Sequence, residues 1–252
     1  SGTLAVSGGL LTMGNVADQL NVAGGASFSS GTVNLALTAG TLRVAGNFTQ
    51  TAGSSQNFGA SGTHKTILNG TGAQTVSFAN PASGSSRFQD LEIANAAGVG
   101  FGTSAAANGN VTVTTGTVTG ASATVTIGAN LVDVVGGRWQ VANTAFTGAT
   151  PSLPATLTTN ASFSGTASLP NGFALTGNMG VTAGNLTLNG QVLNVSGTLA
   201  VSGGLLTMGN VADQLNVAGN TSFTSGIVNL ALNAGTLRVG GNFTQTAGSS
   251  QN

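Results

Sequence analysis

Apolar residues alternate with small or polar ones in short bursts along this chain, and most bursts run into a glycine. The pairs are Leu4 and Val6, Leu20 and Val22, Leu42 and Val44, Leu91 and Ile93, Val111 and Val113, Val132 and Val134, Phe173 and Leu175, and Leu193 and Val195. Alternation with period two marks a strand with one buried face, so each pair is predicted to point into a core. The bursts return every twenty-odd residues. Cut just ahead of them, the span 1–195 divides into nine coils of similar length, the longest being Gly62–Arg87. A mean near ~22 residues suits one coil of a β-helix with short strands and glycine corners. Successive coils are expected ~4.8 Å apart with parallel hydrogen bonding, so nine advance about 43 Å. The residues between the inward pairs face outward; among them Asn194 and Asn216 are predicted to stack on adjacent coils and join their amides along the axis.

A larger period overlies the small one. Ser1–Asn57 and Ser196–Asn252 are the same sequence at an offset of 195 residues, apart from six positions: Gly25/Asn220, Ala26/Thr221, Ser29/Thr224, Thr32/Ile227, Thr38/Asn233 and Ala45/Gly240. Tandem copies of this kind are the signature of a solenoid array. The expected organisation is one full repeat over 1–195 and the start of the next over 196–252, in a continuous rod without internal boundary. The sequence enters and leaves in mid-pattern, without the polar caps that close solenoids, and reads as a piece of something longer. The fold class is all-β: a parallel β-solenoid, expected to be right-handed.

Composition narrows the function. Charged residues make up 4% of the chain, against about 25% in ordinary soluble proteins. Scarce Glu, Lys and Arg with abundant Val, Thr and Gly disfavour helices, and low charge with many apolar residues disfavours disorder. Five basic residues are too few to neutralise a run of phosphates, so nucleic acid is not an expected partner. No apolar run is long enough for a transmembrane helix. Near-zero net charge suits a protein that stacks on itself.

Candidate chemistry is thin. His64 is the sole histidine and there is no cysteine, so no transition-metal site is expected; His64 reads as a turn or surface residue. The aspartates Asp18, Asp90, Asp133 and Asp213 are too sparse for a calcium ladder, and neither metal nor cofactor is expected. Thr112, Thr114, Thr117, Thr119, Thr124 and Thr126 crowd one stretch, but the next coil breaks the pattern that an ice-binding face needs. Asp90 and Glu92, two apart on one strand, share a face and are the best lead for a carbohydrate-cleaving site, which would need further carboxylates from adjacent coils. Arg138 and Trp139 form the most individual spot: exposed, the pair could hold a sugar ring or another fibre; buried, Trp139 caps a corner of the core. Arg138, Trp139, Asp90 and Glu92 are therefore the candidate surface contacts, and no catalytic residue is assigned. Loop excursions are expected around Pro151, Pro154 and Pro170, and in the long coil Gly62–Arg87.

The segments GTLAVSGG, QLNVAGG, GTLRVAGN and HKTILNGTGAQTVSFANPASGSSRFQDLEIANAAG resemble the giant bacterial β-solenoid surface proteins of the filamentous-haemagglutinin and autotransporter-passenger kind. The resemblance implies secretion to the bacterial cell surface, extended fibres, and roles in adhesion, biofilm or sheath formation. The expected function is a structural segment of an extracellular fibre that self-associates end to end or laterally, with polysaccharide or the cell surface as further partners. An adhesin stalk bearing a separate binding tip is the alternative, and a carbohydrate-active β-helix enzyme a third reading; the chain is expected not to be an enzyme.

Overall fold

A computed structural model describes residues 2–29, 34–51, 56–149, 151–224 and 232–246. All regular structure among them is β-strand, and the strand pairs are parallel. The chain forms a parallel β-solenoid with about 11 coils of about 21 residues. It divides into two compact units, one of residues 1–128 and 132–142, the other of 129–131 and 143–252.

In the first unit two parallel sheets enclose the core. One contains Gln19–Val22, Thr41–Val44, Lys65–Leu68, Asp90–Ala94 and Val111–Thr115. The other contains Leu4–Val6, Ala26–Phe28, Phe48–Gln50, Gln74–Phe78, Val99–Phe101 and Val118–Ile127. Register sets like residues over like: Leu20, Leu42, Thr66, Leu91 and Val111 form one inward file, and Val22, Val44, Leu68, Ile93 and Val113 the next. The predicted pairs on these strands thus face inward, although Leu4 and Leu20 at the outermost coil are only half-buried. Phe28, Phe48, Phe58, Phe78 and Phe88 meet in one cluster, with Phe58 edge-on to Phe28 and to Phe48 at centroid distances of 4.7 Å. Edge-to-face rings align the positive rim of one with the negative face of the next, which adds to the gain from area burial.

The second unit repeats the plan. Thr156–Thr158, Phe173–Thr176, Val192–Val195, Gln214–Val217 and Thr236–Val239 stack in one sheet. Asn160–Phe163, Met179–Val181, Leu199–Val201, Thr221–Phe223 and Phe243–Gln245 stack in another. A third, short sheet holds Ala167–Ser168, Asn185–Thr187 and Leu205–Thr207. The duplicated segments take the same local form, with Leu20 beside Leu42 in the first unit and Leu215 beside Leu237 in the second. Of the six positions at which the copies differ, Thr32/Ile227 lies outside the described residues.

The expected excursion in the coil Gly62–Arg87 is present as the exposed corner 79–85, closed where Ser85 donates its N–H to the Ala82 carbonyl. Around the prolines the opposite of an excursion occurs. Asn143 lies in register with Asn160, and Thr156 with Ala174, so these coils are shorter than the mean. Pro151 and Pro154 are buried in an extended run without ladder donors, where a missing N–H costs nothing. Val132 and Val134 do not point inward; they are 39% and 63% exposed, whereas Leu131 is fully buried. The strand is Leu131–Asp133, because the Asp133 carboxylate accepts the N–H groups of Val135, Gly136 and Arg138 and turns the chain there. A slip of one residue exchanges the two faces of a strand.

Candidate functional site

The ten charged side chains, five acidic and five basic, are the natural starting point for chemistry, and each is engaged by the protein itself. Asp18 accepts the N–H groups of Gly14 and Asn15, both at 3.0 Å, and Asp213 repeats the contact with Asn210 in the second copy. Asp90 accepts the Asn110 N–H from the next coil at 2.7 Å. A Cβ at Gly109 would strike the Asp90 carboxylate and press on the Gln89 carbonyl, so a side chain there disturbs this contact. Glu92 is paired with Lys65 one coil earlier at 3.0 Å. Arg43 donates to Gln19, Arg87 to the Ser85 carbonyl, Arg138 to the Thr114 carbonyl at 2.6 Å, and Arg238 to Asn216 at 3.2 Å. Charge in this molecule ties coils and corners together.

Asp90 and Glu92 do share the outward face of their strand. Their neighbours in register are Lys65 and Ile67 on one side and, beside Glu92, Thr112 on the other. The arrangement is a cation facing a carboxylate on a sheet surface, without a second carboxylate from an adjacent coil. Cleavage of a glycosidic bond needs one carboxylic acid to protonate the leaving oxygen and a partner carboxylate across the bond; here Glu92 is held by Lys65 and Asp90 by the Asn110 N–H.

Trp139 is not a surface contact. It is 1% exposed and stands 6.2 Å from Phe101, centroid to centroid. The turn held by Asp133 delivers Arg138 half-exposed and Trp139 inward; burial of a large apolar indole outweighs any benefit of display at the surface. Arg138 stays at the surface with its guanidinium fixed to the previous coil.

His64 is also buried, contrary to a surface role: it is 0% exposed, close to the Phe58 ring. Its Nδ1 donates to the Ala39 carbonyl at 2.9 Å, while Nε2 is buried without a partner. Burial pushes the imidazole below its ordinary value, and the hydrogen bond to Ala39 opposes that shift without cancelling it. A neutral ring follows. Among the described residues no three His, Cys, Asp or Glu side chains converge as a metal site would require.

One feature was not anticipated. Gln74 and Asn95 form a buried polar seam: Gln74 donates to the Val44 carbonyl at 2.9 Å, accepts the Gly70 N–H, and receives the Asn95 amide at 2.8 Å. Asn95 also donates to the Gly72 carbonyl and accepts the Ala97 N–H, so three coils are joined at one corner. Amides just before or after a strand, as in GAQTV and IANAAG, were the available signal. On the second unit the expected amide file is present and longer than expected: Asn216 donates to Asn194 at 2.8 Å and accepts from Arg238. These side chains, with Ala174, Ser196, Ala218 and Gly240, line an open surface depression of about 530 Å³.

The fold and these ladders define the class: a parallel β-solenoid whose polar side chains bind coil to coil. No protein-family model, no curated protein and no solved structure matches the chain.

Proposed function

We propose that this chain is a structural segment of a long extracellular, cell-surface fibre built from tandem 195-residue repeats. The observation that carries the reading is the duplication itself: Ser1–Asn57 and Ser196–Asn252 differ at six positions, of which Ala26/Thr221 is a buried one, and the strands Gln19–Val22 with Thr41–Val44 and Gln214–Val217 with Thr236–Val239 pair in the same register. A sequence that repeats this faithfully can extend by adding coils, each using the same backbone ladder and the same apolar files. Low charge and the commitment of every charged group to an internal partner fit a scaffold rather than a reaction centre. Placement at a bacterial surface rests on the resemblance to filamentous-haemagglutinin-like proteins.

Electron microscopy of the protein carrying several repeats tests this. Rods lengthening by about 43 Å per added repeat, from ~4.8 Å per coil, are expected; compact particles whose length does not grow with repeat number overturn it.

A further inference from the structure

In the second unit, the outer face of the sheet that runs from Thr156–Thr158 to Thr236–Val239 carries a hydrogen-bonded file whose direction is forced. Ala174, Asn194, Asn216 and Arg238 lie beside one another in register on successive coils. A guanidinium can only donate, so the bond from Arg238 at 3.2 Å turns the Asn216 side-chain oxygen toward the arginine. The Asn216 NH2 group then faces the preceding coil, where the Asn194 oxygen accepts it at 2.8 Å. Asn194 is left presenting its own NH2 group, and Ala174 beside it supplies no acceptor. Both amide oxygens of the file are taken by the protein. Donors remain at its two ends, on Asn194 and on the other nitrogens of Arg238.

The flanking positions repeat this bias. Ser196 accepts the Gly177 N–H at 3.1 Å, which leaves its O–H to donate, and Thr176 is exposed. The strands of this sheet hold one charged residue, Arg238. Among the described residues the sole ion pair is Lys65 with Glu92. The charge of Arg238 is therefore held in place but not neutralised. A following coil does not supply the missing acid: Arg43, its counterpart in the first copy, has Ile67 beside it on the next coil and donates back to Gln19.

These groups border the open depression of about 530 Å³. Such a volume suits an organic ligand far larger than a small anion, and the file spans three coil steps, roughly 14 Å at ~4.8 Å each. Ala174 and Ala218 in its lining project only methyl groups, which can lie against the C–H face of a ring. A long trough with an apolar floor, surplus donors and one uncompensated cation calls for an extended ligand rich in oxygen acceptors and carrying negative charge.

We propose that this depression binds an acidic polysaccharide lying along the solenoid axis. A sugar carboxylate meets the free edge of Arg238 in a charge-assisted bond, and hydroxyl or ring oxygens accept from Asn194 and Thr176. In a tandem array the site recurs once per repeat, so a long polysaccharide engages several sites and gains by avidity. The inference goes beyond the fibre reading by assigning a ligand to the surface of the solenoid.

Calorimetric titration of the full chain compares a galacturonic acid oligomer with the same oligomer whose carboxylates are reduced to alcohols. The acidic oligomer should bind at least about tenfold more tightly, the factor set by ~1.4 kcal/mol. Arg238→Gln removes the cation yet can still donate to Asn216. Asn194→Asp keeps the bond from Asn216 but replaces the free donor with a charged acceptor, and Ala174→Leu fills the floor. Each should weaken the acidic oligomer by at least about tenfold, while the Val192–Val195 amides stay protected from exchange. Arg43→Gln, the same loss of charge at an arginine bonded to Gln19 instead of an amide file, should leave the affinity unchanged.

Absence of binding, equal affinity for the neutral oligomer, or an equal loss in R43Q overturns the proposal. So does inorganic phosphate that displaces the oligomer at equal concentration, since the site would then be one for any small anion. Rods that lengthen with repeat number in a protein that binds neither oligomer leave the fibre reading standing and remove this inference alone. Specific binding by a protein that forms only compact particles does the reverse.

Discussion

Phe58 gives the sharpest test of the core of the first unit. It lies outside the named strands, is fully buried, and its ring centroid is 4.7 Å from both Phe28 and Phe48 and 5.6 Å from Phe88. Phe58→Ala removes a whole aromatic side chain without touching a strand ladder. Large-to-small changes of this kind cost about 3–5 kcal/mol. The edge-on contacts carry ~0.5–1.5 kcal/mol each beyond area burial, which places the expected loss toward the upper part of that range. Against a typical total of ~5–15 kcal/mol, such a loss leaves the unit marginal. Trp139 is the sole tryptophan, is buried in the same unit, and reports urea unfolding by its emission. Amide exchange at Phe28, Phe48 and Phe78 locates the damage. Phe58→Leu, which retains most of the volume, should lose at most about 1.5 kcal/mol. A Phe58→Ala protein within about 1 kcal/mol of wild type, the typical effect of a single substitution, would refute the aromatic cluster as the centre of this core.

Other outcomes follow from single residues. His64 has its folded pKa depressed by burial, so the unfolded chain binds the proton more readily. The stability this group contributes is full above the unfolded value of about 6.5 and is lost as pH falls through the folded value. Thermal scans of wild type should decline below that point more steeply than those of His64→Gln; parallel profiles would contradict the assignment. Gly116 has φ +77°, and a Cβ there would collide with the Asn95 carbonyl. Gly116→Ala should therefore cost at least ~1–3 kcal/mol in chemical unfolding, whereas Gly72→Ala, with open space around it, should be close to neutral. Val22 is inward and buried, so Val22→Asp should abolish amide protection in Gln19–Val22 and Thr41–Val44; unchanged thermal stability would contradict its inward placement.

Much of the fold was legible because the strand period and the coil period are both short and both repeated. Leu42 and Val44 or Leu193 and Val195 are read inward from alternation alone, and the Asn194–Asn216 bond follows once coil spacing is known. Reading failed where a side chain away from the pattern redirected the backbone. Val132 and Val134 satisfy the alternation, but Asp133 between them gathers three N–H groups and converts strand into turn. The pairing of Lys65 with Glu92 was missed because the intervening coil is longer than the mean. Lys65 lies beside Asp90, and counting by the mean coil length misaligns the two strands. Trp139 was left between two readings since its sequence neighbours do not encode its depth; Phe101 and the turn at Asp133 do. The prolines signalled absent ladder donors correctly, yet that absence served a contracted coil instead of a loop.

Coil length in the first unit varies widely while paired residues remain aligned. Val99 sits beside Val118 after a short coil, whereas Phe48 reaches its partner Val76 only after a much longer one. Extra residues are absorbed at corners such as 79–85. Corners are accordingly where such a protein can acquire inserted segments, tags or new loops during evolution or engineering. Strands can tolerate changes only in multiples that preserve facing, so novelty accumulates at the vertices while the walls stay constant.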